Sequence, residues 1–347
     1  MTDQHRFDRL SCMGDPVLRT PNIDSIARAG VLFRNAYTPS PVCSPARAAI
    51  KSGMYPPGCG VVTNWVPFFL FTSFFGPHQP FEPPAPWNAL YDPKGIQLPP
   101  QYGAEMQGCP IFEETCAPRA RLFKRLWSQE AYGEMVAAYC GQVAMIDHCV
   151  GRLLDYLKRE ALWDDALVIF CSDHGDHNGA YGLFFEGQMY DSCCKVPLLI
   201  KMPGSADGGI VRDEIVNTLD LYGTILDMAG NTDWRQPHIE ARSLVPLAHS
   251  PDSVAWENKR YAIIGADPTA NLAMLRAGDL KLIRLSRGDG EPLYELYDMR
   301  DEPVETRNVF DDPHYLEGRE KLKEELDARW IKQCAAYPDE IRSYAKT

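Results

Sequence analysis

Apolar residues recur at three- and four-residue steps from about Glu130 to Arg159, through Met135, Val136, Tyr139, Val143, Ile146, Val150, Leu153, Leu154 and Leu157. A helix that turns every 3.6 residues gathers such positions onto one face, so this pattern predicts a long amphipathic helix. A continuous apolar run, Leu167 to Cys171, follows and ends in Ser172-Asp173-His174-Gly175. A helix feeding a strand that is apolar on both faces is an α/β unit of a buried, mostly parallel sheet flanked by helices. The same criterion predicts strands over Phe68–Phe75, running into Gly76-Pro77-His78, and over Val196–Ile200, closed by Pro203-Gly204.

Dense prolines between Phe81 and Pro100 predict an extended surface loop. Past Pro251 the period changes: short runs at Tyr261–Ile264, Leu272–Arg276, Lys281–Arg284 and Tyr294–Tyr297 are separated by turn residues such as Gly278-Asp279 and Gly288-Asp289-Gly290. A charged helix is expected from about Leu316 to Gln333. The chain thus divides into an α/β domain over residues 1–250 and a small C-terminal subdomain over 251–347, an antiparallel sheet with a helix packed on it.

Composition narrows this picture. The 347 residues, 45% hydrophobic, are enough for a substantial core. The net charge of −12, with lysines and arginines scattered singly, argues against a nucleic-acid groove. Eleven cysteines at irregular spacing, with no CxxC pair, read as small buried hydrophobes in a reducing compartment rather than as a disulfide framework. MTDQHRFDRL has no signal-peptide core, and the run from Val66 to Phe71 is too short and too broken by Pro67 to span a bilayer. A cytoplasmic protein with no membrane contact is the expectation, which a segment ahead of Met1 would change.

The chemistry centres on Cys43-Ser44-Pro45-Ala46-Arg47. Proline suits the first helical positions, so Cys43 should stand at a helix N-terminus, where free N–H groups favour an anion. Arg47, one turn on, reaches the same place. Asp173 and His174 end a strand, where α/β sheets concentrate function.

Cys-x-Pro-x-Arg resembles the signature of the sulfatase family, whose cysteine is oxidised by a formylglycine-generating maturation enzyme. Other blocks resemble the same family in order: Thr20-Pro21-Asn22-Ile23-Asp24, Phe74-Phe75-Gly76-Pro77-His78, Ser172-Asp173-His174-Gly175, Leu296-Tyr297-Asp298 and Asp301-Glu302-Pro303. The resemblance implies an alkaline-phosphatase-like α/β fold. It also implies hydrolysis of a small-molecule sulfate monoester by the hydrated aldehyde of residue 43. Asp3, Gln4, residue 43, Asp173 and His174 would hold one divalent cation. Oxygen ligands favour calcium or magnesium, and the imidazole leaves manganese or zinc open. Arg47 would stabilise charge, His78 would protonate the leaving alcohol, and Asn64 resembles a substrate-contacting asparagine of the phosphonate monoester hydrolase branch. That branch shares the Asp-Gln and Asp-His pairs, so a phosphonate monoester or phosphodiester substrate is the alternative.

Three departures from the family bear on activity. Met1 stands two residues before Asp3, where relatives carry an apolar strand, and a frayed terminus holds a ligand poorly. Val61-Val62-Thr63-Asn64-Trp65-Val66-Pro67 runs straight into Phe68, without the segment that holds a GKWH-type lysine and histidine. Glu186 occupies the place of a substrate-binding lysine, where a carboxylate repels an anion, and Cys59 that of a common histidine. By this reading the catalytic domain is truncated, and a catalytically impaired remnant of a sulfatase is a further alternative.

Overall fold

The computed structural model describes residues 1–41, 43–53, 69–204, 208–231, 233–249, 255–264, 270–287, 290–300 and 304–335. Its first helices are α1 (Pro21–Arg28) and α2 (Cys43–Ser52), followed by the pair α3 (Pro110–Thr115) and α4 (Ala117–Leu126). The long amphipathic helix is α5 (Gln129–Arg159). Ser128 caps it, its side chain accepting from Ala131 N, and Lys158 and Arg159 complement the C-terminal dipole. The apolar stripe is buried: Val136, Tyr139, Val143, Ile146, Val150 and Leu154 all face the core. The Pro-rich loop lies across this helix at its glycines. A Cβ on Gly133 would stand 2.7 Å from Pro93 O, and one on Gly141 2.5 Å from Trp87 O.

The first sheet comprises β1 (Val31–Tyr37), β2 (Val168–Cys171), β3 (Leu198–Lys201) and β4 (Ile210–Asn217) in the order β2-β3-β1-β4. It is mixed: β1 and β4 run parallel, and β3 is antiparallel to both β1 and β2. Short helices α6 (Asp191–Cys194), α7 (Asp220–Met228) and α8 (Val245–His249) follow β2, β4 and α7 in turn. The second sheet is an antiparallel meander of β5 (Lys259–Ile264), β6 (Ala270–Ala277), β7 (Leu280–Arg287) and β8 (Gly290–Asp298). Helix α9 (Leu316–Ala335) closes one face, where Leu322, Leu326 and Trp330 meet Leu275, Leu282 and Leu296. On the other side Ala262, Met274 and Ile283 join Tyr37 and Tyr190 in one core cluster, so the two sheets share packing.

The expected strand over Phe68–Phe75 does not form among its described residues 69–75. Phe69, Leu70 and Phe75 are exposed, so their apolarity does not record burial. Phe74 N donates to Met1 O and the Met1 ammonium to Thr72 O, but one residue is too short a partner for a ladder. The described cysteines are all free and mostly buried, as small hydrophobes would be. Among the described residues no helix is long and apolar enough to cross a membrane.

A buried ion triad ties β7 of the second sheet to α6 and to Glu305. Lys281 Nζ, fully buried on β7, lies 2.7 Å from Asp191 Oδ1 and 2.6 Å from Glu305 Oε1. Burial opposes its charge, yet the two carboxylates hold its pKa above the ordinary lysine range. Lys281→Met would strand both carboxylates, and breaking such a buried cluster costs about 3–5 kcal/mol. The expected outcome is a markedly lower urea midpoint at unchanged m value. A midpoint equal to wild type would show that the triad contributes nothing net.

Candidate active site

The site forms where β2 ends. Thr2 pairs in parallel with Ser172, through Thr2 N donating to Cys171 O at 2.9 Å and Asp173 N to Thr2 O at 3.2 Å. Asp3 N then donates to Gly76 O. Held between the end of β2 and the 72–76 segment, Met1, Thr2 and Asp3 are buried. The frayed terminus expected two residues from Asp3 is therefore corrected: backbone bonds on both sides grip it.

Asp173 is fully buried and organises the backbone around itself. Its Oδ1 accepts from Gln4 N at 3.3 Å and His174 N at 2.9 Å. Gln4, at φ 56°, turns the chain away, and Tyr139 on α5 locks the turn by donating its hydroxyl to Gln4 O. His174 Nδ1 bonds Gly175 O at 2.8 Å, which places the proton there and leaves a lone pair on Nε2. Gly175 is required because a Cβ would meet Ser192 O at 2.2 Å, where the backbone of α6 crosses.

Cys43 is the first residue of α2, as its proline-containing motif predicts. Its Sγ lies 3.1 Å from His174 Nε2 and 3.4 Å from Asp3 Oδ1. Arg47, one turn on, spans the two carboxylates: Nη2 meets Asp3 Oδ2 at 2.8 Å and Nε meets Asp173 Oδ2 at 2.9 Å. Its third arm donates to Ser73 Oγ at 2.7 Å. Burial, then Asp3 and Asp173, push the Cys43 thiol up to about 12, so at neutral pH the sulfur is a thiol and a poor nucleophile. Burial likewise raises Asp173 above the ordinary carboxylate range, against the lowering pull of His174.

Asp3, Cys43, Asp173 and His174 each offer one ligand atom, all within 4.8 Å of one another. Gln4 Oε1 is buried without a partner, an orphan that a cation would satisfy. Two carboxylates, an imidazole and an amide oxygen fit a divalent ion, although Arg47 already engages the outer carboxylate oxygens. His78 and Glu186 come to the same centre, each with a ligand atom within 4.8 Å of Cys43 and of each other. Glu186 accepts from Gln4 Nε2. His78 Nδ1 bonds Gln79 O at 2.6 Å and its ring packs on Phe75.

The sulfatase family model matches residues 1–66 and 63–231, about two thirds of the chain. The chain belongs to the sulfatase family. A second model, N-sulphoglucosamine sulphohydrolase C-terminal, matches residues 179–332. This sulfatase-family chain is 29% identical over 253 residues to the choline-sulfatase of Rhizobium meliloti, covering 71% of this chain and 47% of that protein. It is 27% identical over 275 residues to the multifunctional alkaline phosphatase superfamily protein PehA of Trinickia caryophylli, covering 72% and 52% respectively. The chain thus spans about half the length of these curated relatives. The phosphonate monoester hydrolase of Agrobacterium radiobacter shares its fold, with TM-score 0.79 at 21% identity over 96% of this chain and 94% of that one.

Asp3, Gln4, Cys43, Arg47, His78, Asp173, His174 and Glu186, singled out by resemblance, gather into this one centre. Asn64 and Cys59 lie outside the described residues, as does Asp301-Glu302-Pro303. Two contributors went unread. Ser73 holds the third arm of Arg47, and Tyr139 locks the Gln4 turn. Ser73 carried no sequence signal. Tyr139 did: it is a polar-tipped residue on the apolar face of α5, and a buried hydroxyl there needs a partner.

Proposed function

We propose that the chain hydrolyses a sulfate monoester at residue 43, with Cys43 converted to formylglycine by a maturation enzyme. The observation that carries this reading is the setting of Cys43. It heads α2 with ligand atoms of Asp3, Asp173 and His174 within 4.8 Å and Arg47 one turn on, while burial and the two carboxylates keep its sulfur a neutral thiol, a poor nucleophile as it stands. An oxygen nucleophile on the same atom position, the hydrated aldehyde, needs no thiolate.

Asp3, Gln4, Asp173, His174 and residue 43 would hold the divalent cation. Such an ion supplies charge stabilisation to ester oxygens and lowers the pKa of a bound hydroxyl. Arg47 keeps Asp3 and Asp173 fixed and adds a positive charge one turn from the attacking atom. His78, its Nδ1 proton committed to Gln79 O, takes up a proton on its other nitrogen and delivers it to the leaving alcohol.

Conversion of Cys43 is read directly by peptide mass spectrometry across Ala36 to Arg47 after co-expression with a formylglycine-generating enzyme. An aldehyde in place of the thiol is expected. An intact thiol in every peptide would remove the nucleophile from this reading.

Gln4 favours a second substrate reading. Its buried amide at the centre resembles the Asp-Gln pairing of the phosphonate monoester and phosphodiester branch, and the chain shares the fold of a phosphonate monoester hydrolase. Comparing turnover of a nitrophenyl sulfate with that of a nitrophenyl phosphonate separates the two. Impaired turnover on both would point to the remnant reading. The division of the family-model match into two blocks that overlap at residues 63–66 and the carboxylate of Glu186 near Cys43 support it.

A further inference from the structure

The face of the second sheet that packs on Tyr37 carries a row of cations. Arg260 on β5 stands opposite Arg276 on β6, and Arg276 stands opposite Lys281 on β7. Residues directly opposite in an antiparallel pair share a face with Cβ atoms about 4.5–5.5 Å apart, and like charges so placed repel. The outer two have their counter-charges. Arg260 Nη2 meets Asp220 Oδ2 at 2.7 Å, and Lys281 is held by Asp191 and Glu305. Arg276, between two cations, forms no ion pair among the described residues. It is 8% exposed and lies beside the Tyr37 hydroxyl, and its Nε and Nη1 are buried with no hydrogen-bond partner.

A fourth cation comes to the same place. Lys195 pairs with Tyr37 through an isolated antiparallel bridge, so the two side chains leave one face together. Arg276 and Lys281 act on its ammonium as nearby like charges. Lys195 Nζ forms no ion pair among the described residues and rests 4.6 Å from the centre of the Phe7 ring. The carboxylates that act on it are engaged elsewhere, Asp191 by Lys281 at 2.7 Å and Asp8 by the fork of Arg6 at 2.7 and 3.1 Å. Four cations thus share Asp220, Asp191 and Glu305, and the guanidinium left over is enclosed with two idle donors. Buried charges are ordinarily paired, and buried donors ordinarily meet protein, water or an ion.

We propose that Arg276 and Lys195, beside Tyr37, hold a small monovalent anion of the halide class. One negative charge balances the one cation in excess. The enclosure selects for size, since Tyr37 and Lys281 are fully buried and Arg276 nearly so. The ion ties β6 to the link between α6 and β3. Through Tyr37, the last residue of β1, it also braces the stretch that leads into α2 and residue 43. Its effect is on the stability of the fold and is separate from the chemistry proposed at residue 43.

The test is thermal stability of the full chain against chloride at constant ionic strength, with sodium gluconate, too bulky to enter, as the replacement salt. The wild-type midpoint should rise by about 2–4 °C along a saturating curve, as a ligand that binds only the folded state requires. Arg276→Gln removes the unpaired charge. It should show no chloride dependence and should match or exceed wild type in gluconate alone. Lys195→Met should need more chloride for the same rise. Bromide soaked into wild-type crystals should give an anomalous peak beside Arg276. A wild-type midpoint indifferent to chloride overturns the proposal, and so does an Arg276→Gln curve parallel to wild type, which would mark a general salt effect. Water in place of bromide at Arg276 overturns it as well, and that measurement stands even if Arg276→Gln does not fold. None of these measurements involves turnover, so the hydrolytic reading and the anion site fail separately.

Discussion

Asp173→Ala is expected to strip the cation from the Asp3, Asp173 and His174 group and to stop turnover. Asp173 does more in this centre than offer one ligand atom. Its Oδ1 accepts the amides of Gln4 and His174, and its Oδ2 takes Arg47 Nε, so one carboxylate sets the positions of three other site residues. Alanine leaves two buried amides without that acceptor and frees Arg47 to lean on Asp3 alone, further occupying a ligand the cation needs. Loss of an outer-shell partner alone typically lowers metal affinity by about 10–100-fold, and removal of a ligand that also positions its neighbours should exceed that. Calorimetric titration of wild type and variant with a divalent ion reads the change. Asp173→Asn separates the two roles, since an amide oxygen can still accept from Gln4 N and His174 N but brings no charge. Its affinity should fall between the others. Equal affinity in wild type and Asp173→Ala would place the cation elsewhere.

Elements whose partners are close in sequence, or whose residues face one way, were legible. Helix α5 is legible to within one residue of its start because its apolar stripe recurs at three- and four-residue steps over its whole length. The four strands of the C-terminal sheet were placed because successive hairpins pair with sequence neighbours. Cys43 at the head of α2 followed from Pro45 two residues on.

What stayed hidden depends on partners far along the chain. Met1 and Thr2 look like a loose end, yet their bonds go to residues 72, 74, 171 and 173. Nothing local in Met-Thr-Asp shows that. The aromatic run before Gly76 misleads for the converse reason: its composition suits a strand, but among the described residues its backbone bonds to Met1 form no ladder. Arg47 was singled out one turn from Cys43, but not that it would bridge Asp3 and Asp173, which are 170 positions apart and meet only when the N-terminus pairs with the end of β2. The carboxylate of Glu186 was read as hostile to an anion. Its neighbourhood, with His78 and the Gln4 amide against it, appears only in three dimensions.

Arg47→Ala should lower kcat by about 10²–10³ while the divalent ion stays bound, which would separate it from every ligand substitution. The reasoning starts from the two ion pairs at 2.8 and 2.9 Å. Guanidinium arms fixed on two carboxylates cannot relax toward bulk water, so their charge is already oriented when negative charge builds on the ester. Taking the side chain away removes that field at the transition state. It also releases Asp3 Oδ2 and Asp173 Oδ2 from a competing cation, so affinity for a divalent ion should hold or rise. Arg47→Lys keeps the charge as a single point, which cannot span both carboxylates, and should recover only part of the loss. Its kcat is expected between those of wild type and Arg47→Ala, with KM moving less than kcat because the interaction grows as charge develops. Metal lost along with rate in Arg47→Ala would show that the arginine acts by assembling the ligand set. An unchanged kcat would mean that the bridging geometry serves stability alone.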